Sequence, residues 1–201
     1  EWIPAWNITY GMGVDGISFP FLILAALLSI LCVSVSWTAV TTRVREFYAA
    51  LLITETAMLG LFLATNLFCF FVFWELTALS SVFLIWARGL TDPARKERAY
   101  RVGMRYLIVQ VGSGVLLLMG ILLHLSDTGS YSFVRMGLEA SRGAPFIFVA
   151  FGIKAGFPFL HNWITDAYPE SSPTGTVFLS MFTTKVAIYA LVRGFPGTEL
   201  L

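Results

Sequence analysis

Charge is scarce in this chain. Asp, Glu, Lys and Arg make up 12% of its 201 residues, against about 25% in soluble domains, while apolar residues make up 57%. With a mean hydropathy of +0.78, that shortage excludes an ordinary soluble globule and places the chain in a membrane. The net charge of +1 gives no sign of an acidic or basic partner. Nucleic-acid binding needs a clustered basic face, and the one basic cluster here has a topological explanation, given below. Cysteine is nearly absent. Cys32 and Cys69 both lie in apolar runs and read as small buried hydrophobes. There is no CxxC pair and no metal-ligand spacing of His and Cys, so a zinc or iron–sulfur site is not supported. Nothing in the sequence resembles a cleavable signal peptide. The opening residues, EWIPAWNITYGMGVDG, are neither basic nor continuously apolar, and residues 1–16 read as an aromatic-rich segment at a membrane interface.

What is present in quantity is apolar runs of membrane length. About 20 apolar residues span a bilayer, and on that ruler the sequence gives an all-α, polytopic bundle of six spans: Ile17–Val40, Phe47–Asn66, Leu67–Ala87, Met104–His124, Phe146–Leu160 and Gly175–Val192. The last run stops close to Glu199-Leu200-Leu201, and residues 17–201 read as a fragment of a longer protein. The fifth span is short and contains Gly152, Lys154, Gly156 and Pro158, followed by His161-Asn162-Trp163. Gly and Pro at membrane depth predict a broken helix that is buried in protein or lines a cavity; the plain alternative is a short packed helix with a snorkelling lysine. Arg43 and Arg45 fall on the same side as Arg88, Arg95, Lys96, Arg98, Arg101 and Arg105, and the opposite side has only Arg135, Arg142 and Arg193. That bias makes the first side cytoplasmic and the amino end external; headgroup or partner binding by the cluster is a lesser reading.

Four ionisable residues lie near the middle of these runs: Glu55, Glu75, Lys154 and Lys185. A charge at the bilayer centre costs about 2.5–3.5 kcal/mol on insertion scales, and such residues usually face a bundle interior and form proton or ion relays. A buried carboxylate and a buried lysine are each desolvated when apart and stabilise each other's charged forms when close. Conditional approach of Glu75 to Lys154 is therefore a protonation switch, and lysine suits it because it can lose its proton where arginine cannot. Lys154 would pass its proton to Lys185 through ordered water. The plain alternatives are a static ion pair for Glu75 and Lys154 and a lysine in a polar pocket beside Thr183 and Thr184 for Lys185; Glu55 reads equally as a lateral extension of the path or as a simple hydrogen-bond acceptor for a neighbouring helix. His161, after the break, is a relay candidate; His124 reads more readily as an interfacial histidine. Asp15 precedes the first span as a helix cap, and Asp166 and Glu170 look structural, capping or contacting the arginines of the Arg88–Arg105 loop.

The segments GVDGISFPF, NLFCFFVFWELTALSSVFLI, FGIKAGFPFLHNWITDAYPESSPTGT and TKVAIYALVR together resemble the antiporter-like membrane subunits shared by respiratory complex I (the NADH:quinone oxidoreductase), Mrp-type cation/proton antiporters and membrane-bound hydrogenases. The resemblance runs over nearly the whole chain. It implies paired five-helix inverted repeats, each with a broken helix, of which this chain holds the first and lacks the second. It implies that Glu75 and Lys154 form the coupled pair, that Lys185 is the relay toward the membrane centre, and that His161 is the histidine after the break. AYPESS and TKVAIYALVR stand closer to the Mrp D-type and hydrogenase-type members. The chain departs from the family's usual Trp-Leu-Pro-Asp-Ala at Trp163-Ile164-Thr165-Asp166-Ala167.

The expectation is a subunit that translocates protons or another cation in a multisubunit complex of the bacterial or archaeal inner membrane. It holds no redox cofactor itself, and its partners are other membrane subunits, the bilayer, and protons or Na+. Two rival readings stand beside it: a non-conducting assembly subunit with the same fold, and a subunit that energises uptake of inorganic carbon.

Overall fold

The structure is a computed structural model that describes residues 2–4, 8–133 and 136–197. Seven α-helices carry the described residues: α1 Ser18–Ala39, α2 Val44–Leu63, α3 Leu67–Thr91, α4 Lys96–Thr128, α5 Ala144–Ala155, α6 Asn162–Glu170 and α7 Pro173–Gly194. Five are long and apolar enough to cross a membrane, and α5 is a shorter apolar helix. The chain is an integral membrane protein. Successive helices α1 to α5 pack side by side, and α7 closes the bundle against α1, α2, α3 and α5.

Local chemistry sets the helix ends. Asp15 Oδ1 accepts from the amides of Ser18 and Ile17 at 2.8 and 3.1 Å and caps the start of α1. Asn66 accepts from the Cys69 amide at α3, and Ser172 accepts from the Gly175 amide at α7, with Pro173 in its first turn, where a missing N–H costs nothing. Helix α4 starts eight residues before the apolar run predicts, at Lys96 rather than Met104. The added turns are rich in Lys, Arg and Glu, which are good helix formers and can snorkel at the membrane boundary.

The fifth span differs in shape from one continuous helix over Phe146–Leu160. Helix α5 ends at Ala155, because Gly156 adopts φ 80°, a left-handed position that glycine takes without strain. The amides of Gly156 and Phe157 fold back on the Gly152 carbonyl at 3.0 Å each, and Pro158 prevents the helix from resuming. The Ile153 carbonyl accepts from the Gly156 amide at 3.3 Å and, more closely, from the Trp163 indole N–H at 2.8 Å. Chain direction then continues in α6. Twelve residues of α5 reach about 18 Å, too short for a bilayer core of about 30 Å, so α5, the break and α6 together make one crossing. Thr165, in place of the family's proline, leaves α6 intact and bonds the Asn162 carbonyl at 2.9 Å.

Two ends of the bundle are distinct. The basic end carries Arg43, Arg45 and the Arg88–Arg105 loop. There Arg98 Nε meets the buried Glu170 carboxylate at 2.7 Å, Arg95 lies 3.7 Å from it, and Arg105 lies 3.8 Å from Asp166. These contacts anchor the foot of α6. At the other end Arg142 pairs with Asp127 at 2.6 Å, and Arg193 pairs with Asp15 at 2.8 Å. Arg135, which the sequence assigns to this end, lies outside the described residues, as do Glu1 and Glu199-Leu200-Leu201. Part of the opening segment lies across the α2–α3 turn: Gly13 N–H donates to the Leu63 carbonyl at 2.8 Å, and Asn66 donates to Thr9 at 2.7 Å.

Candidate functional site

At about 1.5 Å per residue, Glu55, Glu75, Lys154 and Lys185 all lie about 12–15 Å from the ends of their helices opposite the basic end. They share one depth on four different helices. The surroundings of each differ.

Lys154 is 1% exposed. Its Nζ donates to Thr77 Oγ1 at 2.9 Å and to the Trp74 carbonyl at 3.3 Å, and it sits 3.9 Å from the centroid of the Trp74 ring. Trp74 is in turn locked between Phe70 and Phe151, with ring centroids 5.5 and 5.3 Å away. All these partners are neutral. Among the described residues no carboxylate lies within ion-pair distance of Lys154. Glu75, between Trp74 and Thr77 in the sequence, is half-buried and lies on Gly114 of α4. Its Oε1 is buried without a hydrogen-bond partner. Only a glycine at position 114 leaves room for the carboxyl against the α4 backbone. Glu75 and Lys154 thus form no ion pair in this structure: the carboxyl lies on Gly114 of α4, and Nζ is held by Thr77 and the Trp74 carbonyl of α3.

Lys185 is exposed on the outer face of α7, its Nζ turned back to the Ser180 carbonyl at 2.8 Å. It is not brought to Lys154 inside this chain. The hydroxyl of Thr183 faces inward instead, bonding Tyr168 at 3.1 Å and the Leu179 carbonyl at 2.7 Å. His161 is exposed at the break, without a side-chain hydrogen bond among the described residues. Glu55 is half-buried on α2, near Cys32 of α1. His124 is 6% exposed, and its Nδ1 lies 2.7 Å from Ser141 Oγ, which ties α4 to the loop before α5 and fits the interfacial reading. Both cysteines are buried and unpaired. No group of three or more His, Cys, Asp or Glu converges to hold a metal ion among the described residues.

Charge alone does not reveal the neutral half of the site. Thr77, Ser80 and Ser81 of α3, Gln110 and Ser113 of α4 and Lys154 of α5 are all at most 5% exposed and gather where these three helices meet. Tyr106 extends the set, its hydroxyl 2.7 Å from Ser81 Oγ. Their signal in the sequence is a run of small polar residues one turn apart, starting beside Glu75.

Residues 64–199 match the family described as NADH:quinone oxidoreductase/Mrp antiporter, TM. The chain is 31% identical to NADH-quinone oxidoreductase subunit M of Pseudomonas aeruginosa, an alignment covering 96% of this chain and 40% of that relative. Among solved structures it is similar to a chain of the Mrp complex from Dietzia sp. DQ12-45-1b, with a TM-score of 0.73 at 25% identity, covering 90% of this chain and 35% of that one. It also shares its fold with a chain of respiratory complex I from Thermus thermophilus, with a TM-score of 0.79 at 24% identity, covering 93% of this chain and 42% of that one. The chain thus spans about two fifths or less of the curated relative's length and of the Mrp chain's length. The match across most of the chain, with the broken helix and its lysine inside it, makes this chain a member of the NADH:quinone oxidoreductase/Mrp antiporter family of membrane proteins.

Proposed function

We propose that this chain moves protons, or sodium in exchange for them, through a bacterial or archaeal inner membrane as an antiporter-like subunit of a larger complex. Glu75 and Lys154 form its switch, Lys185 relays onward, and His161 stands at the break. The observation that carries this reading is Lys154: a buried lysine at membrane depth, on a broken helix, its Nζ held by neutral groups while the Glu75 carboxyl rests on Gly114 of α4. Desolvation disfavours the ammonium form, and an approaching carboxylate favours it. Moving the Glu75 carboxyl between Gly114 and Lys154 therefore loads or releases a proton at Nζ. Lys185 faces away from the bundle, so the next step needs a protein or water surface beyond α7. On this reading the chain holds no redox group, the basic end faces the cytoplasm, and the driving reaction belongs to partner subunits.

The test is ion movement into vesicles holding the intact complex, with Glu75→Gln and Lys154→Met introduced singly. Each variant assembles and stops transport. Normal transport by both overturns the proposal. One observation favours a static role instead: Lys154 already has two hydrogen bonds and a ring face. That reading expects Lys154→Met to impair assembly, because it leaves the Trp74 carbonyl and Thr77 without their partner, and Glu75→Gln to assemble and transport normally.

A further inference from the structure

We propose that Gln110 is a positioning residue that connects the Glu75 carboxyl to Lys154 through internal water; the proposal deepens the translocation reading above and rests on it. Gln110 is 0% exposed in the middle of α4. Both its amide atoms, Oε1 and Nε2, are buried without a hydrogen-bond partner among the described residues. A primary amide in a membrane protein's interior is costly to leave unmet, and buried polar groups without a protein partner are met by ordered water.

Three neighbours fix where this amide lies. Gly114, one turn along the same face of α4, carries the Glu75 carboxyl, whose Oε1 is also unpartnered. Ser113 donates to the Ala150 carbonyl of α5 at 2.9 Å, one turn before Lys154. Tyr106, one turn the other way, meets Ser81 of α3 at 2.7 Å. Gln110 therefore enters the junction of α3, α4 and α5 at the level of Lys154. The Trp74 indole N–H, beside Lys154, is a further buried donor without a partner. An ammonium has three donors, and Lys154 spends two of them on Thr77 and Trp74. When the group is protonated, the third is left for water.

The chemistry of an amide suits this position. It donates and accepts at once and does not titrate, so it can hold water in a fixed orientation without competing for the proton. In the proposed arrangement Nε2 would donate to water bonded to the Glu75 carboxyl, and Oε1 would accept from water bonded to Lys154. A carboxylate in its place would take the proton, and an apolar side chain would break the connection. The ligand of this site is water, and its titratable neighbours are Glu75 on α3, Lys154 on α5 and Tyr106 on α4.

The test uses the intact complex in vesicles, with translocation measured across pH for wild type, Lys154→Met, Gln110→Met and Gln110→Glu. Gln110→Met, similar in length but without polar atoms, lowers the rate about tenfold, the equivalent of one hydrogen bond to a charged group, while the complex assembles. Gln110→Glu keeps the size, adds a titrating group and shifts the pH profile. If Lys154→Met stops transport while Gln110→Met and Gln110→Glu keep the wild-type rate and profile, this inference is wrong and the translocation reading stands. If Lys154→Met also transports normally, the translocation reading itself falls. Should Gln110→Met fail to assemble, the profile of Gln110→Glu decides: a shift supports the assignment and an unchanged profile overturns it.

Discussion

A methyl group on Gly114 is the sharpest perturbation of the switch that leaves every charge in place. A Cβ at that position overlaps Oε1 of Glu75 and crowds its carboxyl carbon. The obstacle is the far end of a flexible side chain, so the helices need not separate, and alanine gains about 1 kcal/mol of helix propensity over glycine. The carboxyl must turn away from α4 instead. Overpacking costs about 1–3 kcal/mol, which depopulates the resting position by about 5–150-fold. The Gly114→Ala complex should therefore keep or raise its thermal midpoint in detergent while its ion translocation falls about fivefold or more. The reasoning fails if Gly114→Ala and the bulkier Gly114→Val both translocate at the wild-type rate.

Three further outcomes follow from other contacts. Trp163→Phe keeps the ring packed on Tyr106, at a centroid distance of 5.5 Å, but removes the bond to Ile153; a loss of about 1 kcal/mol should appear as faster proteolysis at the 156–161 break. Among the described residues, Arg98→Ala leaves the buried Glu170 carboxylate with only Arg95 at 3.7 Å as an ion-pair partner, so α6 should loosen by about 1–3 kcal/mol, read as hydrogen exchange of its amides. Partial burial raises the Asp15 carboxyl, but amide hydrogen bonds from Ser18 and Ile17 and the Arg193 charge outweigh it and hold the group below its ordinary range. A lowered carboxyl stabilises the fold above its unfolded value, near 3.9, and loses that contribution as pH falls through the folded value. The thermal advantage of wild type over Asp15→Asn should therefore be full at pH 6 (about two units above that unfolded value) and shrink on acidification below about pH 4; an advantage independent of pH contradicts it.

Much of the fold was legible because membrane burial writes itself as long apolar runs. All six spans have helical counterparts, and the break was marked by Gly156 and Pro158 in a run otherwise apolar. The ends were less legible. Lys96 to Gly103 lie outside any apolar window, yet they continue α4 because charged residues at a membrane boundary still favour helix. The depth of Glu55, Glu75, Lys154 and Lys185 also followed from the sequence, since depth is a matter of counting along a helix. Facing was not. Whether Lys185 turns inward or outward depends on how α7 rotates against α1 and α5, and one lysine beside two threonines does not fix that. The seat of Glu75 on Gly114 and the placing of Gln110 near Thr77 and Ser81 depend on how α3 and α4, consecutive in the chain, rotate against each other, and that rotation is not written in either helix alone. Neutral side chains of this kind leave no charge anomaly to notice.

The central claim is that Lys154 gives up its proton during each cycle, and Lys154→Arg tests it most directly. Arginine keeps the positive charge and can still hydrogen-bond Thr77, yet it practically never deprotonates. With the variant in the intact complex, ion movement into vesicles is measured alongside assembly. The account predicts a complex that assembles and does not translocate. Translocation at the wild-type rate would show that only the charge of Lys154 matters, and would contradict it.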